Sequence, residues 1–302
     1  MSKSRAWYEM ARDLVDVAMG RRAADLVITN GRWVNVHSGE ILSGTDVAIS
    51  GSRIAFVGQD ASHAAGPETK LIDAGNRYML PGLCDAHMHV ESGMLTVTEF
   101  TRAVIPHGTT SMFIDPHEIA NVLGLEGVRL MHDEAVTLPI NIYVQMPSCV
   151  PSAPGLETPG AILGAEEVAE AMSWPGIIGL GEMMNFPGVL YGDEEVKAKL
   201  DIAKKYNKVI DGHAPGLMGA DLEKYVGAGI STDHECFTYE EAVEKIKLGM
   251  KVLIREGSSA RNFEALYKLI DEYPESVMLC TDDSHPDTLI YEGHIDKLVR
   301  RG

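Results

Sequence analysis

Two histidines spaced two apart, His87 and His89, stand in the run Pro81-Gly82-Leu83-Cys84-Asp85-Ala86-His87-Met88-His89-Val90-Glu91. On a β-strand the side-chain period is two, so both imidazoles point the same way. Two neutral ring nitrogens can then share one divalent cation. A lone His-x-His is as readily a pair of ordinary surface histidines, but this one has company. Glu182 follows Ile178-Gly179-Leu180-Gly181, His213 follows Val209-Ile210-Asp211-Gly212, His234 follows Ile230-Ser231-Thr232-Asp233, and Asp282 follows Met278-Leu279-Cys280-Thr281. Taken singly, each reads as a structural polar residue at a strand end. Taken together, His87, His89, Glu182, His213, His234 and Asp282 read as a metal site fed by several strands.

Such a site needs elements that bring distant residues to one place. From Tyr78 onward, short apolar runs alternate with amphipathic stretches. The strand candidates are Leu83–His89, Thr109–Ile114, Ile140–Gln145, Ile177–Gly181, Lys208–Asp211, Gly229–Thr232, Lys251–Ile254 and Val277–Thr281. Helical patterns fall between and after them, among them Glu166–Met172, Asp193–Lys205, Tyr239–Lys247, Arg261–Asp271 and Leu289–Arg300. Alternation of this kind over about 220 residues predicts an α/β (β/α)8 TIM barrel, whose catalytic groups gather at the C-terminal ends of the strands. A doubly wound open sheet usually carries a glycine-rich phosphate turn, and no GxGxxG occurs. Ahead of the barrel, residues 5–20 read as a helix closed by Gly20. Then come β-branched runs punctuated by Asn30-Gly31, Ser50-Gly51 and Gly75-Asn76, the pattern of a small β module that forms part of a sandwich. The expected division is an N-terminal helix over 1–22, the β module over 23–80 and the barrel over 81–302.

The bulk numbers narrow the partners. The 302 residues hold 26 Lys plus Arg against 44 Asp plus Glu, a formal net charge of −18, which argues against nucleic acid and anionic membrane. A hydrophobic fraction of 45% supports a sizeable core. Cys84, Cys149, Cys236 and Cys280 are far apart and suggest no disulfide framework. The opening residues are too polar for a signal peptide, and no apolar run is long enough to span a membrane, so a cytoplasmic protein acting on a small molecule is expected. A homo-oligomer is left open.

The run from Pro81 to His89 after a small β module, followed by His213, His234 and Asp282, resembles the amidohydrolase superfamily over nearly the whole chain. Asp115-Pro116-His117-Glu118, Gly181-Glu182-Met183-Met184-Asn185, Asp211-Gly212-His213-Ala214-Pro215, Ser231-Thr232-Asp233-His234-Glu235, Thr281-Asp282-Asp283 and the early helix are similar to the bacterial adenine deaminase branch, in its N-terminal half. The resemblance implies hydrolytic deamination of a purine base, adenine to hypoxanthine and ammonia, by a metal-activated hydroxide. Manganese or iron is the metal it implies, with zinc a third option and two ions expected. Glu182 stands where many superfamily members carry a carboxylated lysine, which fits this branch and argues against a hydantoinase-like site.

Within that expectation Asp282 takes the proton of the attacking water and passes it to the leaving amine. Glu235 and Glu118 are candidates for protonating the ring nitrogen, or they pair with histidines. Asp283 could accept a purine N–H or cap a helix. His117 could orient substrate, bind extra metal or be structural. Met183, Met184 and Phe186 read as core or as an apolar slot, Trp33 and Trp174 as packing, and Arg255 contacts substrate or pairs with Glu256. Two alternatives remain: another cyclic amide or amidine hydrolase on the same scaffold, and a metal-binding module without activity.

Overall fold

The computed structural model describes residues 7–302. Residues 1–6, on which much of the leader reading rests, lie outside the described residues, as does the start of the expected helix at 5 and 6. The chain divides into two compact units, one ending at Pro81 and one spanning Gly82–Gly302.

In the first unit a helix, Trp7–Ala18, precedes a sheet of β1 (Leu26–Asn35), β2 (Glu40–Ser50), β3 (Arg53–Gly58), β4 (Lys70–Asp73) and β5 (Tyr78–Met79). The order is β3-β2-β1-β4, with β5 also pairing β1; β2 runs antiparallel to β1 and β3, while β4 and β5 run parallel to β1. The expected turn at Asn30-Gly31 is instead a bulge inside one long strand. Asn30 adopts the left-handed region at φ 56°, its backbone N–H donates to Asp46 Oδ1 at 2.9 Å, and pairing with β2 resumes at Gly31. A left-handed Asn-Gly pair satisfies a hairpin or a bulge equally, so the dipeptide alone does not separate them. Val17, Ala24, Val27, Ala48, Ala61 and Ala64 form the core of this unit.

The second unit is the barrel. Its strands are β6 (Leu83–His89), β7 (Thr109–Ile114), β8 (Asn141–Met146), β9 (Ile177–Met183), β10 (Val209–Gly212), β11 (Thr232–Asp233), β12 (Lys251–Arg255), β13 (Val277–Cys280) and β14 (Asp282–Asp283). Parallel ladders run β10-β9-β8-β7-β6-β14 and β11-β12-β13. The eighth strand position is therefore split, with β13 pairing β12 and β14 pairing β6, and the break falls at Thr281. Between β10 and β11 the ladder thins to one backbone bond, Ser231 N–H to Ile210 O at 3.1 Å, while Ser231 O accepts from Lys251 N–H at 2.9 Å. Thus the ring closes through all eight positions.

The strands are buried runs, as parallel strands covered by helices must be. Met88, Met112, Ile114, Val144, Met146, Leu180 and Ile210 join helix residues such as Phe100, Val128 and Leu222 in one large core. A second cluster, including Val252, Ile254, Phe263, Leu266 and Leu298, seats the last helices. Among the described residues no helix is long and apolar enough to cross a membrane.

Candidate metal centre

Strand β6 turns Asp85, His87 and His89 to one side, and all three are buried. His89 Nδ1 lies 2.7 Å from the backbone carbonyl of Asp115. A carbonyl oxygen only accepts, so Nδ1 donates there and Nε2 is the nitrogen turned to the centre. His87 is oriented alike, with Nδ1 2.7 Å from Asp211 Oδ2. The two Nε2 atoms then face each other at 3.2 Å. Both nitrogens face one point.

Other strand ends meet them there. Glu182, the sixth residue of β9, places Oε1 3.2 Å from His89 Nε2, and Oε2 2.6 Å from His213 Nδ1 and 3.3 Å from His234 Nε2. The His234 ring stacks on His87 with centroids 4.0 Å apart. Asp282 Oδ1 lies 3.3 Å from His89 Nε2 and 3.8 Å from His87 Nε2. Three overlapping groups, His87–His89–Glu182, His87–His234–Asp282 and Glu182–His213–His234, each keep their donor atoms within 4.8 Å of one another. Glu182 belongs to two of them and to a further group with Asp115 and His117.

The residues fit a cation on a separate count. Both nitrogens of His234 are buried and have no hydrogen-bond partner, a costly state for a polar ring unless a metal takes one of them. The field points the same way. Burial disfavours charge on His87, yet Asp211 outweighs it and lifts the ring to about 9. Burial likewise opposes Glu182, but the imidazoles of His213, His234 and His89 beside it hold it well below the usual carboxylate range. A pocket that draws protons onto imidazoles draws divalent cations too.

Backbone geometry aims Asp282. It sits at φ 57°, in the left-handed region, at the split in the eighth strand position. Its Oδ2 accepts from Arg255 Nη1 at 2.8 Å. Arg255 also donates from Nη1 and Nη2 to the two oxygens of Glu235, with Nη2 3.1 Å from Oε2. The guanidinium thus serves Asp282 and Glu235, while Glu256 pairs with Arg301 at 2.5 Å. On β9, Gly181 is required by close approach: a Cβ there would strike the Asp115 carboxylate, which accepts the Glu182 N–H at 2.7 Å.

A cavity of about 350 Å³ opens over these groups, lined by His89, Glu182, His213 and Asp282 together with Glu118, Glu235, Asp283, Arg255, Phe237 and Ala260. Glu118 is half-exposed, with Oε2 3.5 Å from His89 Nδ1. His117 does not line the cavity. Its Nδ1 lies 2.7 Å from Asp115 Oδ1 but makes no hydrogen bond, its Nε2 accepts from Cys149 N–H at 3.3 Å, and Asp115, His117 and Glu182 keep donor atoms within 4.8 Å of one another. Asp283 caps no helix: His285 is the N-cap of Pro286–Tyr291. Met183 is core, and Met184, Phe186 and Trp174 pack against that core.

The comparisons agree with this architecture. Residues 78–298 match the model of the amidohydrolase family. The chain belongs to that family. An adenine deaminase of Mesorhizobium japonicum is 59% identical over 303 residues, covering 99% of this amidohydrolase and 50% of the relative. One from Methanosarcina acetivorans is 64% identical over 226 residues, 75% of this chain and 41% of its own. The chain thus spans about half the length of the curated relatives it matches. Among solved structures, a variant of the atrazine chlorohydrolase of Arthrobacter aurescens TC1, complexed with zinc and atraton, superposes with a TM-score of 0.63 at 18% identity, covering 85% of this chain and 72% of that one. N-isopropylammelide isopropylaminohydrolase from Burkholderia multivorans gives 0.58 at 20%, covering 91% and 78%. At these identities the structures speak for the fold alone, which is TIM-barrel-like.

Sequence reasoning missed the carboxylates one layer below this amidohydrolase's donors. Asp85 receives Thr281 N–H at 3.1 Å and lies 2.9 Å from His294 Nε2. Asp211 orients His87, Asp115 holds β9, and Asp233 accepts from Ala214 N–H at 2.8 Å. A signal was present: Asp85 and Asp211 stand two before His87 and His213, in the same alternation that aligned the histidines.

Proposed function

We propose that this chain carries the catalytic barrel of an adenine deaminase, binding two divalent cations, manganese or iron with zinc as the third option, and replacing the amine of a free purine base with oxygen from water. The observation that carries the reading is the meeting of four imidazoles and two carboxylates in a barrel 50–64% identical to proteins named adenine deaminase. The donor set assigned to the cations is His87, His89, Glu182, His213, His234 and Asp282. A divalent cation there supplies the positive charge that lets water lose a proton near neutral pH.

The remaining work falls to side chains. Asp282 has one oxygen held by Arg255 at 2.8 Å and the other turned to the imidazoles. Burial opposes its charge, but the hydrogen bond with His89 keeps it well below the carboxylate range, so it is ready to accept the water proton and return it to the leaving amine. Glu235 accepts hydrogen bonds from Arg255 through both of its oxygens. Glu118 has no Arg or Lys partner among the described residues, and the desolvation of its half-covered carboxyl, with Asp283 nearby, raises it; it is assigned to protonate the ring nitrogen. Asp283 accepts the ring N–H of the base. His117 is assigned a positioning role through Asp115 and Glu182.

The test is an adenine-to-hypoxanthine assay on manganese-loaded protein, with metal analysis and with dihydroorotate, hydantoin and guanine as competitors. His87→Ala and Asp282→Ala should each abolish turnover with the barrel still folded. Turnover surviving in both variants would overturn the assignment.

A further inference from the structure

Asp283 lies in β14 opposite His89 and reaches the cavity with a carboxylate that no Arg, Lys or His pairs with among the described residues. Its two oxygens are instead held by neutral hydroxyls from two different loops. Ser92, in the turn Glu91–Gly93 directly after β6, donates to Oδ1, and Ser259, in the loop after β12, donates to Oδ2 at 3.2 Å. The second loop is itself tied down. Ser258 N–H donates to the Asp283 carbonyl at 2.7 Å, Gly257 N–H donates to Ala260 O at 3.0 Å, and Ser258 Oγ donates to Thr288 Oγ1 at 2.9 Å.

This arrangement fixes the direction of the carboxylate without cancelling its charge. A carboxylate has about four acceptor positions, so two hydroxyls leave two for a ligand. The best complement is a neutral N–H donor, which gains a charge-assisted bond and needs no counter-ion. An N-substituted ring has no hydrogen to offer there and leaves the acceptor unpaired, which is how a built polar site rejects an analogue.

We propose that Ser92 and Ser259 are positioning residues that hold Asp283 in the orientation selecting an unsubstituted heterocycle by its ring N–H. The inference rests on the adenine deaminase reading and adds to it the two residues that set the preference for a free base over an N9-substituted one.

The experiment is steady-state turnover of adenine by the manganese-loaded protein, with 9-methyladenine as competitor, for the unchanged chain and for Ser92→Ala, Ser259→Ala, the double variant and Ser92→Thr. Metal content is measured for each. Each alanine variant should raise KM about tenfold, the loss of one positioned hydrogen bond. The penalty falls on KM rather than kcat, metal content holds, and the preference for adenine over 9-methyladenine shrinks most in the double variant. Ser92→Thr, which keeps the hydroxyl, should restore KM. A double variant with unchanged KM and unchanged discrimination overturns the clamp while leaving the proposed function standing. So does a joint fall of kcat and metal content with KM unmoved, the mark of a structural role. No adenine turnover by the unchanged protein fails the proposed function, and the clamp falls with it.

Discussion

Asp211 reaches His87 from 124 positions further along the chain, and that contact decides which nitrogen of His87 faces the centre. A ligand histidine without such a partner can turn or change tautomer, which weakens its hold on a cation. Asp211→Asn keeps the shape and one acceptor but removes the charge. Its affinity for manganese should fall roughly 10- to 100-fold, read by competition with a chelator of known strength. Affinity equal to that of the unchanged protein would remove Asp211 from the site. At this scale the histidines were legible because a period of two on a strand is a local rule. The partner of each ring was not legible, because nothing local says that Asp211 meets His87 and Asp115 meets His89.

Among the elements, the helix Tyr239–Lys247 was expected as one more amphipathic cover, yet it carries a buried cation. Lys245 Nζ lies 2.8 Å from Asp233 Oδ2, 2.6 Å from Glu241 Oε1 and 2.7 Å from the Ala214 carbonyl, so the helix is locked to β11 beside His234. Lys245→Met fills the same space but leaves two buried carboxylates uncompensated. The expected cost is about 3–5 kcal/mol in urea unfolding, the penalty for breaking a buried pair from one side. Lys197→Ala, which removes an exposed pair with Asp201 at 2.9 Å, should leave the midpoint where it was. Similar midpoints for the two variants would show that the buried network is not what seats this helix. Most strand positions were foreseen from β-branched and apolar runs, but the sixth, expected at Gly229–Thr232, forms at Thr232–Asp233. The split at Thr281 was not foreseen, since it depends on Asp85 and His294 gripping that residue from other elements.

For the whole molecule, a net charge of −18 sits on a chain that gathers Glu118, Glu182, Glu235, Asp282 and Asp283 around one cavity. Glu182, Asp211 and Asp282 repel one another unless positive charge lies among them. Metal binding and stability are therefore linked. Stripping the protein with a chelator should lower its melting temperature, and adding manganese at 100 times its dissociation constant should restore about 2.7 kcal/mol. A melting curve indifferent to both treatments would mean that no cation resides among these residues.

The amino-acid sequence by itself determined the alternation of strand and helix, the side of each strand its histidines occupy and the residue types able to hold a metal, because each follows from backbone period and side-chain chemistry over a few residues. Only the tertiary structure decided which nitrogens converge, why Asp282 is turned at a break in the eighth strand position, and that Arg255 serves Asp282 and Glu235 rather than Glu256. Those choices depend on closing the barrel, which brings together side chains that share no local rule.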